Sequence, residues 1–335
     1  VNLTSPPNLS LAGSGAGGVG GEGALTGSGD TSYNGAITLT GPTTIGVGPL
    51  GTGTSADNTL TLGGAIAGAG MAMTKVGTGT LEFTKASTYG GTTIDAGMLT
   101  LSGLGTLGLG DATVKSGATL HLDGVNLTSP PNLSLAGSGA GGVGGEGALT
   151  GSGDAGYNGA ITLTGPTTIG VGPLGAGTSA DTLTLGRAIA GVGMAMTKVG
   201  TGTLVLSGAN SYSGGTTINQ GALSLNAGAT LPDSLLASFP VTLGASGRLN
   251  LNATNQRVGV LVGETGAQLV LGTGSLTVRQ NSDSEFAGAI SGAGNLVKDG
   301  SGTLTLSSLN SYGSTTHIDA GMLTLSGLGT LGLGD

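Results

Sequence analysis

The chain has 335 residues, 74 of them glycine, with 8% charged and 2% aromatic side chains, no tryptophan, no cysteine and a formal charge of −8. So little bulk cannot fill a wide interior at crystal-like density, and the absence of cysteine removes disulfides and thiol chemistry. Nine scattered basic residues also exclude nucleic acid as a partner.

Charge is too scarce, and Leu/Val/Ile/Thr alternation too dense, for a disordered chain. No apolar run reaches the ~20 residues of a membrane-spanning helix. Val1 opens no basic-then-apolar leader, so the expectation is a mature or internal segment. The acidic surface and missing cysteines suit an extracellular or bacterial cell-surface location.

In chain order, the first event is a phrase that returns. Val1–Leu81 is rewritten at Val125–Leu204 with five substitutions (Thr31→Ala155, Ser32→Gly156, Thr52→Ala176, Gly64→Arg187, Ala69→Val192) and loss of Asn58. Asp95–Asp111 returns unchanged as Asp319–Asp335. Such repetition argues for a modular scaffold rather than one tuned active site. Short alternating runs, such as Leu99–Leu101, Thr119–Leu122, Arg248–Leu251 and Leu269–Leu271, predict strands, and Gly, Asn, Asp and Ser clusters punctuate them. No helical stripe is sustained against so much glycine. The predicted class is all-β: a parallel β-solenoid of roughly 20–24 residues per coil, with coils stacked about 4.8 Å apart. The expected organisation is one continuous solenoid over 1–335, duplicated as 1–124 and 125–335.

One motif occurs three times, at about 65–101, 188–225 and 286–325. Each copy opens on Ala-Ile-x-Gly-x-Gly and continues to Lys75, Lys198 or Lys298, then Gly-x-Gly-Thr-Leu. A tyrosine follows (Tyr89, Tyr212, Tyr312), then an isoleucine (Ile94, Ile218, Ile318), a glycine (Gly97, Gly221, Gly321) and a last strand. Comparing copies sorts faces. Glu82, Val205 and Thr305 vary and point outward, whereas Leu81, Leu204 and Leu304 are constant and point inward. By the same alternation Leu99, Leu101, Leu120, Leu251 and Leu271 face inward, while His121, Arg187 and Asn250 face out. The three lysines are expected at corners, with solvated heads and stems over apolar neighbours. Asp95, Asn219 and Asp319 are expected to hydrogen-bond their own turns.

The run Phe286–Leu306, followed by Asn310-Ser-Tyr312 and Gly321, resembles the passenger-associated repeat of bacterial autotransporters. Copies at 188–225 and 65–101 resemble it too, the latter with Ser87 where the asparagine usually stands. Leu249–Val258 resembles the linking rungs of such passengers. The resemblance covers about half the chain, and it implies a right-handed parallel β-helix exported by a type V pathway.

Candidate chemistry is sparse. His121 alternates with two leucines, and His317 stands where other copies have Thr93 and Thr217; neither has a partner at metal-ligand spacing. Gly15–Gly20 fits a dinucleotide glycine pattern without its strand–helix context. Gly17–Glu22 faintly resembles a calcium nonapeptide but lacks tandem repetition. Asp283 and Glu285, near Arg279 and Lys298, are the one cluster suited to carboxylate chemistry. Thr-x-Thr pairs (Thr38/Thr40, Thr52/Thr54, Thr78/Thr80) are too irregular for an ice-matching plane. No catalytic, cofactor-binding or metal site is therefore assigned.

The functional expectation is a non-enzymatic extracellular stalk or fibre segment. Its expected partners are further repeats or other copies end to end, and cell-surface or matrix polymers. Two alternatives differ in signature. A passenger that binds a glycan or host protein needs a contiguous exposed Tyr- or Thr-rich strip. A polysaccharide-cleaving β-helix needs several carboxylates lining one cleft.

Overall fold

The structure, a computed structural model, describes residues 2–3, 6–15, 23–48, 58–140, 147–173, 180–232 and 239–332. It is all-β, and it divides into two compact units, Val1–Gly170 and Val171–Asp335, each a right-handed parallel β-helix. Paired strands run parallel, and an isolated antiparallel bridge joins Gly23 to Ile45. Among the described residues no helix is long and apolar enough to cross a membrane.

Register explains why such a small-residue chain folds. In the first unit Leu60, Leu81, Leu99, Leu120 and Leu149 stand on one another through successive coils. A second file runs Ile45, Lys75, Ile94, Val114, Leu135, Leu163. In the second unit the corresponding leucine file is Leu183, Leu204, Leu223, Leu249, Leu269, Ile290. Each coil thus buries its apolar side chains mainly against the coils before and after it, at about 1.5–3 kcal/mol for a fully buried leucine. No wide interior is needed.

All eight leucines expected to face inward are buried, Arg187 is exposed, and Glu82, His121 and Asn250 are half-buried on the outer face. Coil length varies more than expected. Partners of Glu82 in neighbouring coils are 20 and 21 residues away, whereas His121 meets Thr150 across 29. In the sequence, that longer span includes the glycine-rich stretch 138–147. Asp95 does not close its own turn; its carboxylate ion-pairs with Lys115 of the next coil. One substitution between the duplicated phrases has a clear physical content. The Thr31 hydroxyl is buried without a hydrogen-bond partner, and Ala155, its counterpart, has none to satisfy.

Candidate functional site

The lysines overturn the corner reading. Lys75, Lys198 and Lys298 are all 0% exposed. Each lies in strand parity with a buried residue two positions earlier (Met73, Met196, Leu296), so the backbone alternation itself turns the side chain inward. The ammonium then finds three main-chain carbonyls. Lys75 Nζ donates to Val76 O at 3.0 Å, Gly77 O at 2.7 Å and Ala96 O at 3.0 Å. Lys198 Nζ donates to Val199 O at 2.8 Å, Gly200 O at 2.7 Å and Gln220 O at 3.2 Å. Lys298 Nζ donates to Asp299 O and Gly300 O, both at 2.8 Å, and to Ala320 O at 3.3 Å.

Two of the carbonyls belong to the lysine's own corner and the third to the coil above, so one ammonium pins two coils. Three acceptors match the three N–H groups of a protonated amine. Burial opposes that charge, pushing Lys75 and Lys198 down to about 7. It lowers Lys298 as well, against the upward pull of Asp299 and Asp283.

The other motif residues complete the same joint. Tyr89, Tyr212 and Tyr312 are buried, and their hydroxyls meet Thr92, Thr216 and Thr316 Oγ1 at 2.9, 2.6 and 2.6 Å. Asn210 spans three coils. Its Oδ1 accepts from Ile189 N at 2.9 Å, and its Nδ2 donates to Gly208 O at 3.1 Å and Thr230 O at 2.8 Å. Asn310 repeats this with Ile290 N, Ser308 O and Thr330 O. Ser87 is too short for that bridge. Its N–H donates to Thr106 Oγ1 at 2.9 Å, but its buried hydroxyl has no partner.

The outer face carries hydroxyls in line. Thr44, Thr74, Thr93, Thr113, Ser134 and Thr162 occupy one outward position on successive coils. Five of these residues are half-buried and Thr162 is exposed, so the file falls short of the fully exposed threonine strip expected of a binding passenger. A tyrosine strip is not available from Tyr89, Tyr157, Tyr212 or Tyr312, all of which are buried. On a second face Glu82 accepts from Thr61 Oγ1 at 2.9 Å and from Ser102 Oγ at 2.6 Å.

His121 sits two coils along that second face, with Nδ1 2.8 Å from Thr150 Oγ1 and Nε2 3.2 Å from Ser152 Oγ. Ser152, His121 and Asp123 are the components of a hydrolytic triad in the wrong wiring. The Ser152 hydroxyl donates to Asp123 Oδ1 at 2.8 Å, so its proton goes to the carboxylate and the ring has none to remove.

The remaining sequence candidates are placed apart. Asp283 Oδ1 accepts from Thr303 N at 2.7 Å, Glu285 Oε1 accepts from Ser307 Oγ at 2.6 Å, and Arg279 Nε lies 3.4 Å from Asp299 Oδ2. Each is tied to a neighbouring coil, and Lys298 points the other way, into the core. His317 is exposed, 3.1 Å from Thr315 Oγ1. Thr38 and Thr40 are outward, but Thr38 meets Ala67 in the next coil, so the pair does not recur. Thr52/Thr54 and, apart from Gly15, the glycine patterns through Glu22 lie outside the described residues. Among the described residues no three His, Cys, Asp or Glu side chains are placed to hold a metal ion.

Sequence reasoning missed the buried lysines, the bridging asparagines, and Gln256 and Gln280, which bond main-chain groups inside the second unit. For the lysines a signal existed: their parity with Met73, Met196 and Leu296.

Comparison with known proteins agrees with this repeat geometry. A family model described as the passenger-associated-transport repeat matches residues 73–101, 196–225 and 296–325, each match spanning the lysine, the tyrosine and the closing strand. The chain is 34% identical over 159 residues to a protein named adhesin BmaC autotransporter, from Brucella suis biovar 1 (strain 1330). That match takes in 46% of this chain and 4% of the relative, so the chain corresponds to a small part of it. No solved structure matches the chain.

Proposed function

We propose that this chain, an autotransporter-type passenger segment built on passenger-associated-transport repeats, serves as a non-enzymatic stalk in an adhesin displayed at the bacterial surface. The observation that carries the reading is the coil-to-coil register: Leu60, Leu81, Leu99, Leu120 and Leu149 stand on one another through successive coils, and the Lys75 ammonium reaches Ala96 O of the next coil. Each rung is thus held by its neighbours and not by one shared core, which suits a scaffold lengthened by adding coils. The partners this favours are further coils, in the same chain or in another copy, joined through strand edges.

The chemistry supports a mechanical role over catalysis. Asp283, Glu285, Glu82 and Asp123 each accept a hydrogen bond from a neighbouring coil instead of converging on one point. Outward hydroxyls such as Thr74, Thr93 and Thr113 offer a neutral face to a glycan or host protein.

The test joins display with imaging. The chain, fused to a translocator and expressed on a non-adherent bacterium, should be cut from the surface by external protease. Electron microscopy of the released material should show thin rods, and the displaying cells should gain adherence. Hydrolysis of a polysaccharide by the purified chain, or globular particles in place of rods, would reject the proposal.

A further inference from the structure

Between the coil of Thr106–Leu109 and the coil of Asn126–Pro131 in the first unit lies a half-open cleft of about 390 Å³. Its position follows from the sequence. Ser87, which forms part of the floor, replaces the asparagine that bridges three coils in the other two repeats, and its hydroxyl is left without a partner. The rim is held from the next coil. Tyr157 Oη donates to Pro131 O at 2.6 Å and Asn158 Nδ2 donates to Thr128 O at 3.0 Å, so the Thr128–Pro131 loop is fixed before anything binds.

The lining has one chemical character. Among the described residues no charged side chain lines it. Leu109, 72% exposed, and Pro130 give an apolar wall, while Asn126, Thr128 and Ser129 present an amide and hydroxyls at the exposed rim. A pocket with apolar walls and a few placed neutral polar groups selects a ligand of the same make-up. We infer that this cleft is a binding site for one residue of a neutral glycan, whose ring carbons would lie on Leu109 and Pro130 and whose hydroxyls would bond Asn126, Thr128 and Ser129. An acidic sugar would have no cation to meet, and burying its carboxylate unpaired is costly. The inference rests on the adhesin-type reading and names a ligand class and a place for it.

The experiment uses the whole chain and four neutral sugars: glucose, galactose, mannose and N-acetylglucosamine. Saturation-transfer NMR should detect at least one of them, with a Kd on the order of 1 mM for a site of a few neutral hydrogen bonds. Ser87→Asn, which supplies the repeat's own amide to the floor, and Leu109→Lys, on the exposed wall, should each weaken it about tenfold, worth ~1.4 kcal/mol. Melting temperatures of both variants report that the fold is kept. Should Ser87→Asn misfold, Leu109→Lys alone decides.

Absence of transfer to all four sugars would overturn the assignment. Equal binding in both folded variants would do the same, as would a proline-rich peptide taking the cleft when the sugars do not. Neither substitution touches surface display, so a parent chain that is displayed but binds none of the four sugars overturns the cleft and leaves the passenger reading standing.

Discussion

A Cβ on Gly97 would lie 2.8 Å from the ammonium of Lys75, and 2.4 and 2.5 Å from the carbonyl oxygens of Gly77 and Gly79. The same arrangement recurs in the third repeat, where Gly321 faces Lys298. The lysine seat and the glycine above it are therefore one device, and the spacing between them in the sequence is the length of chain needed to climb one coil. Gly97→Ala should cost about 3 kcal/mol, because it adds a clash with two backbone oxygens at a φ of +66°. Urea unfolding of the variant measures it. A loss below about 0.5 kcal/mol would mean that the seat has slack.

Replacing Lys75 by methionine keeps the stem in its aliphatic file but leaves Val76, Gly77 and Ala96 carbonyls unpaired by Nζ. A stranded buried acceptor costs about 1–3 kcal/mol, so Lys75→Met should destabilise by at least 2 kcal/mol on that scale. If the hydrophobic stem were all that mattered, the variant would match the parent in a thermal melt.

Buried lysines also give the fold an unusual pH response. Unfolded Lys75 and Lys198 hold their protons up to the ordinary lysine value of 10.5, whereas in the folded state burial lowers them to about 7. Between those values the unfolded chain binds more protons, so stability rises with pH from about 7 toward 10. Above 10 the sign reverses. Tyr89 is raised by burial to about 12, the folded chain then binds more protons, and stability falls. Denaturation midpoints across this range should pass through a maximum, and Lys75→Met with Lys198→Met should flatten the rising limb.

Asn210 offers a cleaner test of the coil-to-coil joint, since the first repeat already carries the shorter side chain. Asn210→Ser should strand Ile189 N and remove a donor from Thr230 O, for a loss of about 2 kcal/mol. Thr31→Ala works in the other direction. It deletes a buried hydroxyl that has no partner and should leave stability unchanged or raise it by up to about 1 kcal/mol. The duplicated phrase has made that change itself at Ala155.

Much of the fold was legible because a solenoid repeats its physics at every coil. Leu81, Leu204 and Leu304 declared their direction by staying constant beside the variable Glu82, Val205 and Thr305, and register then stacked like on like. The lysines were misread because charge was weighed above parity. A strand alternates whatever its chemistry, and Lys75 shares Met73's face. What the ammonium meets there could not be read locally, since its third acceptor, Ala96 O, arrives a full coil later. The threonine file from Thr44 to Thr162 was hidden for a related reason. Its members are separated by coils of unequal length, so no fixed period joins them in the sequence.

Two leucines of the stretch Asp95–Asp111 separate stacking from mere apolarity. Leu101 lies between Phe83 and Leu122 of the neighbouring coils and is 0% exposed, whereas Leu109 is 72% exposed. Truncating a leucine packed on both sides removes its transfer energy and leaves a cavity, so Leu101→Ala should cost about 3 kcal/mol. Leu109→Ala should cost less than about 1 kcal/mol. If the two losses are equal in urea unfolding, burial between coils does not set the stability of a rung, and the stacking that underlies the stalk reading loses its energetic basis.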